Sequence, residues 1–201
     1  VSDDGETFTL SASNTGGTAA TGTATIKDDG TGTLYPDQAP DNSTTPATDT
    51  SSTKDDDRPV TVNNITVNEG SPYAVFNVSG AANQLVELSL PGDGTATGGG
   101  TDYGSGLEYW HGSAWVSYTA GTTVALDSGG DLRVRTTITN DTVSDDGETF
   151  TLSASNTGGT AASGTATIKD DGTGTLYPDQ DPVDSTTPAT DTSSTKDDDR
   201  P

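Results

Sequence analysis

Residues 145–172 read Asp-Asp-Gly-Glu-Thr-Phe-Thr-Leu-Ser-Ala-Ser-Asn-Thr-Gly-Gly-Thr-Ala-Ala-Ser-Gly-Thr-Ala-Thr-Ile-Lys-Asp-Asp-Gly. Phe150, Leu152 and Ala154 alternate with Thr and Ser, the period-two pattern of a strand with one buried face. Strands are therefore predicted at 148–155 and 163–169, separated and bounded by Asn, Asp and Gly turns. Outward from this pair the same alternation recurs, in Val86/Leu88/Leu90 and in Leu132/Val134/Ile138. It predicts further strands at 60–68, 73–79, 84–90, 106–110, 114–118, 122–126 and 132–139, and so an all-β, antiparallel sandwich.

The same stretch also reveals a repeat. Residues 1–59 recur as 143–201, Val1 aligning with Val143 at an offset of 142, with differences only at Thr21/Ser163, Ala39/Asp181, Asp41/Val183 and Asn42/Asp184. Such near-identity implies a recent duplication in a tandem array. The expected organisation is the last two strands of a preceding unit over 1–30, a Thr/Ser/Pro/Asp-rich linker over 31–59, a complete unit over 60–172, and a second linker over 173–201. A lone hairpin is marginally stable. The leading strands, 6–13 and 22–27, are thus expected to be completed by the rest of their own unit or by a neighbouring chain. The linkers are expected to be extended spacers, with docking along the adjacent domain as the alternative.

The 201 residues carry 8 Lys+Arg against 31 Asp+Glu, a net charge of −23, and are 27% hydrophobic. An excess of this size repels phosphate, so nucleic acid is not an expected partner. There is no cysteine, which removes disulfides and thiolate metal sites, and no apolar run long enough to insert in a membrane. No nucleophile and base are arranged for catalysis; His111 reads as a surface turn residue, and no enzyme activity is expected.

The acidic residues are not scattered evenly. If successive strands reverse direction, the loops at 69–72, 91–105, 119–121, 140–147 and 170–172 share one end of the sandwich. They gather Glu69, Asp93, Asp102, Asp141, Asp145, Asp146, Glu148, Asp170 and Asp171, leaving Glu87, Glu108, Asp127 and Asp131 elsewhere in the unit. Taken singly, these are ordinary solvated turn residues. Taken together they would repel one another unless cations bind, and hard oxygen ligands without His or Cys suit calcium.

Val-Asn-Glu-Gly at 67–70, Thr-Asp-Tyr at 101–103, Asn-Asp-Thr-Val-Ser-Asp-Asp-Gly-Glu-Thr-Phe-Thr-Leu at 140–152 and Ala-Thr-Ile-Lys-Asp-Asp-Gly at 166–172 resemble a Calx-beta domain. The resemblance implies an immunoglobulin-like sandwich that binds Ca2+. It places ligands at Glu69, Asp102, Asn140, Asp141, the Val143 carbonyl, Asp145, Glu148, Asp170 and Asp171. In the preceding partial unit the equivalents are Val1, Asp3, Glu6, Asp28 and Asp29. Asn140 stands where the family is often acidic, and Gly172 closes what is often a run of three aspartates. Residues 104–131 resemble repeats of bacterial adhesins of the repeats-in-toxin type. That implies an extracellular or bacterial cell-surface spacer in cell adhesion or biofilm matrix, whose partners are neighbouring repeats.

Two further features belong to alternative readings. Residues 107–118 predict a hairpin pairing Tyr109 with Val116, Leu107 with Tyr118 and Trp110 with Trp115. Trp110 and Trp115 would then share an outer face, either as a platform for surface glycans or as a cross-strand pair stabilising the hairpin. Donation of residues 1–29 to a neighbouring chain would instead make a self-assembling filament. Asp55-Asp-Asp-Arg58 reads as a solvated charge run or, with Asp127 and Asp131, as a junction site.

Overall fold

Alternation becomes two packed sheets between Val60 and Tyr177. The computed structural model describes residues 4–35, 54–177 and 196–199. In chain order the strands are β1 (Thr7–Ser13), β2 (Ala19–Thr25), β3 (Thr61–Val62), β4 (Ile65–Asn68), β5 (Tyr73–Ser79), β6 (Leu85–Ser89), β7 (Glu108–His111), β8 (Ala114–Ser117), β9 (Thr123–Ala125), β10 (Asp131–Thr137), β11 (Thr149–Asn156) and β12 (Ala161–Lys169). One sheet has the order β3-β5-β10-β7-β8 and the other β4-β12-β11-β6-β9. The architecture is the expected all-β, immunoglobulin-like sandwich.

The inward faces carry the predicted residues. Val67, Phe76, Val78, Val86, Leu88, Val134, Phe150 and Leu152 are all at most 1% exposed. Each such side chain contributes roughly 1.5–3 kcal/mol by leaving water. Phe150 packs edge-on to Phe76 at 5.9 Å and stacks on Tyr103 at 4.2 Å, so the loop bearing Asp102 is anchored in the core.

The predicted strand 60–68 is two strands in two sheets. β3 pairs with β5 antiparallel, and β4 pairs with β12 in parallel. The corner lies at Asn63-Asn64, whose side-chain oxygens accept hydrogen bonds from Asn77 N (2.6 Å) and Thr165 N (2.8 Å), one in each sheet. Gly164 makes the corner possible: a Cβ there would lie 2.2 Å from the Asn63 carbonyl oxygen. Every other antiparallel pairing obeys the expected reversal, so the acidic loops do share one end.

Packing continues past the expected boundary at Gly172. Thr175 bridges Val67 in parallel and exchanges backbone hydrogen bonds with Thr66 and Asn68. Tyr177 is 6% exposed and donates its N–H to Ser71 Oγ at 2.8 Å. The first residues of the linker thus cover the free edge of β4.

β1 and β2 repeat the register of β11 and β12 as a two-stranded sheet. Phe8, Leu10 and Ile26 are 59%, 72% and 52% exposed. Their counterparts Phe150, Leu152 and Ile168 are buried, because the strands that cover them have no equivalent within residues 4–35.

Candidate metal centre at the acidic end

Each acidic side chain arrives on a different element. The β4–β5 turn supplies Glu69, whose N–H is fixed by Lys169 O at 2.9 Å. Glu69 Oε1 accepts the Asp141 N–H at 2.9 Å, joining this turn to the β10–β11 loop. Asp102 caps its own loop by accepting Thr97 N, and its carbonyl accepts Thr139 N at 3.0 Å. Asp145 and Glu148 lead into β11, and Asp170 leaves β12.

Two groups of carboxylates converge here. Glu69, Asp145 and Asp170 can each place an oxygen within 4.8 Å of the others, as can Asp102, Asp145 and Glu148. Asp145 belongs to both. Glu69 and Asp170 are 5% and 1% exposed, and Glu69 Oε2 and Asp170 Oδ2 are buried without a hydrogen-bond partner. A desolvated carboxylate oxygen without a donor is costly. Here several lie within 4.8 Å of one another, and a divalent cation would satisfy such an arrangement.

The electrostatics follow from this crowding. Burial, reinforced by Asp170, Asp141 and Asp145 and partly offset by the Asp141 N–H, pushes Glu69 up to about 7. Burial also pushes Glu148 up to about 7, followed by its hydrogen bond to Asp102 and the charges of Asp102, Asp145 and Asp141. Asp145 is raised by burial and by Asp141, Asp102 and Asp170. The donors are all oxygens at spacings that fit a calcium ion, with metal–oxygen distances of roughly 2.3–2.6 Å. Glu69, Asp145 and Asp170 would hold one such ion, and Asp102, Asp145 and Glu148 offer a position for another.

Other expected ligands stand differently. Asp171 faces Lys169 at 3.3 Å and accepts from the N–H and hydroxyl of Thr173. The Thr173 hydroxyl is the chief cause holding it down at about 2, with Lys169 contributing. It therefore belongs to a surface ion pair and to none of the convergent acidic groups. Asp146 pairs with Lys169 at 2.7 Å. Asn140 and Val143 are exposed, and the Val143 N–H is bound by Asp141 Oδ1 at 2.7 Å. Asp141 itself holds the loop rather than joining either group.

In the preceding partial unit, Val1 and Asp3 lie outside the described residues. Glu6 is exposed, and Asp29 copies Asp171 in pairing with Lys27 at 3.1 Å and Thr31. Asp28 is buried and joins Asp55 and Asp57 in a further acidic group, and Asp170 likewise joins Asp197 and Asp199. Asp55-Asp-Asp-Arg58 thus meets Asp28 and not Asp127 or Asp131. Those two carboxylates are taken by Gly129 N and Asp131 N, and by Asn77 and Ser79. The sequence signal for these linker aspartates was their spacing: alternate residues of an extended segment share a face.

Trp110 and Trp115 pair across the hairpin in the expected register, with rings 5.4 Å apart at 70°. Arg135 lies 4.3 Å from the Trp115 ring and 3.7 Å from that of Tyr73, and bonds Glu108 at 2.7 Å. The pair is edge-to-face, and the Arg135 guanidinium lies over the Trp115 ring. His111 is exposed.

No family model and no curated protein matches the sequence. Among solved structures, the chain is similar to the crystal structure of CBD12 from CALX1.2, with a TM-score of 0.37 and 21% identity over 56% of this chain. The match spans 44% of that chain, less than half its length.

Proposed function

We propose that the unit is a calcium-binding structural repeat that acts as a rigidified spacer in an extracellular adhesin or fibre. The observation that carries this reading is the meeting of Glu69, Asp145 and Asp170 from three separate elements, with two buried carboxylate oxygens lacking any donor. The Calx-beta motifs of the sequence point the same way. The role is mechanical: an ion joins the β4–β5 turn, the β10–β11 loop and the last strand at the end where the chain leaves the domain. No catalytic role is assigned to any residue.

Extracellular modules of this kind bind calcium at roughly 10⁻⁴ to 10⁻³ M, leaving them empty in cytosol and filled outside. Binding only to the folded state stabilises it by about 2.7 kcal/mol per site at a hundredfold excess over Kd. Limited proteolysis in chelator and in millimolar calcium tests the idea. Calcium should protect the 140–147 loop from cleavage, and equal cleavage in both conditions would contradict the reading.

A second reading rests on the exposed face of β1–β2. The strands of an adjoining unit would cover Phe8, Leu10 and Ile26; supplied by a second chain rather than by the same one, they would build a filament by strand exchange. Electron microscopy of the purified chain distinguishes filaments from separate particles.

A further inference from the structure

The aspartates that end each linker return to the domain the linker has just left. Asp197 donates its N–H to Asn68 Oδ1 at 2.8 Å, and its carbonyl accepts Gly172 N at 2.9 Å. Asp198 bridges Asp171 antiparallel, and Asp199 N bonds Asp170 Oδ1 at 3.1 Å across 29 residues of sequence. The backbone thereby lays Asp197 and Asp199 over Asp170. Their carboxylate oxygens lie within 4.8 Å of one another, about twice a calcium–oxygen distance, so that one ion fits between them. Asp170, at 1% exposure, presents an Oδ2 with no hydrogen-bond partner, and Asp197 Oδ2 and Asp199 Oδ2 are likewise buried and unpartnered.

The arrangement occurs twice. Gly30 N bonds Asp55 O at 2.8 Å, Asp29 bridges Asp56, and Asp28, Asp55 and Asp57 form the equivalent group. Here the next unit is also visible. Asp56, 3% exposed, accepts from Arg58 Nε at 2.8 Å and from Gln84 Nε2 at 3.3 Å. Arg58 O accepts from Gln84 (2.6 Å) and Asn156 (3.1 Å), both in the following domain. Gly158, in the β11–β12 turn of that domain, lies so close to Asp57 that a Cβ there would come 1.5 Å from its Oδ1.

We propose that the aspartate triplet ending each linker forms a second cation site with the last strand of the unit before it, so that a calcium ion clasps consecutive units at their junction. The linker is then no free tether, because its two ends are pinned together at the ion. The clasp transmits the order of one unit's acidic end to the entry of the next. This inference rests on the calcium reading through Asp170, which belongs to both groups.

Counting bound calcium on the full chain by native mass spectrometry, with calorimetry for affinity, separates the two. Asp197→Asn with Asp199→Asn should remove about one ion and leave the sites at Glu69 and Asp145 filled. Asp55→Asn with Asp57→Asn should remove another. Glu69→Gln should weaken the domain site and spare both junction ions. The substituted aspartates lie outside the hydrophobic core, and unchanged tryptophan fluorescence checks that each variant folds. An unchanged ion count in both aspartate variants overturns the clasp while leaving the domain site intact. Loss of every ion in either variant overturns its independence, and no calcium on the unaltered chain overturns the inference together with the reading beneath it.

Discussion

Replacing Asn68 with alanine probes the fastening of the linker to the domain more directly than replacing any acidic residue. Asn68 is fully buried. Its Nδ2 is 3.1 Å from Lys169 O, 2.7 Å from Thr173 O and 3.2 Å from Asp197 O, and its Oδ1 accepts from Gly70 N and Asp197 N. Alanine leaves several of these backbone groups without a partner. Each buried orphan costs about 1–3 kcal/mol, and water entering from the linker side recovers part, so a loss of about 3 kcal/mol is expected. Asn68→Asp should cost at least as much, because an anion would face three carbonyl oxygens beside Asp170. Urea unfolding in chelator, followed by the fluorescence of Trp110 and Trp115, measures both. A loss under about 1 kcal/mol in both variants would refute the assignment of Asn68 as the tie between β4, the exit strand and the linker.

In ion-free protein Glu69 and Glu148 are held at about 7 against an ordinary 4.5, so the folded state keeps protons that the unfolded chain has released. The stability from these two groups is fully present below about pH 4.5 and is lost as pH rises to about 7; the melting temperature in chelator should fall across that interval, and a flat profile would contradict it. Since both groups are near half-protonated at pH 7, calcium binding there should release about one proton, read by calorimetry in buffers of different ionisation heats. Glu69→Gln should raise the ion-free melting temperature by removing a crowded anion, while weakening calcium at least roughly tenfold. Gly164→Ala should cost roughly 1–3 kcal/mol through the Asn63 carbonyl, whereas Gly22→Ala, at the matching position with nothing within 4 Å, should be neutral in thermal unfolding.

Most strands were legible because alternation over 73–79, 84–90, 132–139 and 148–155 reflects one buried face, and those segments form strands within a residue or two of expectation. The corner at Asn63-Asn64 was also written in the sequence, as a slip of phase: Val60 and Val62 lie on even positions, Ile65 and Val67 on odd ones. A single run hides such a slip, which is why one strand was expected. The acidic end followed from strand reversal alone. Which carboxylates turn inward did not, since Lys169 and Thr173 capture Asp171 through contacts that spacing does not reveal. The docking of Thr173–Tyr177 was hidden for a related reason: the segment has too few apolar residues to announce a strand, and Tyr177 is buried only because β4 offers a free edge. The alternate spacing of the linker aspartates was legible, but their partner Asp170, 29 residues away, was beyond any local pattern.

Calcium titrated into chelator-treated full chain by isothermal calorimetry, with thermal unfolding on the same samples, tests the central claim. The account predicts saturable binding and a melting temperature that climbs with calcium concentration. No heat of binding and an unchanged melting temperature would return the acidic loops to solvated turns.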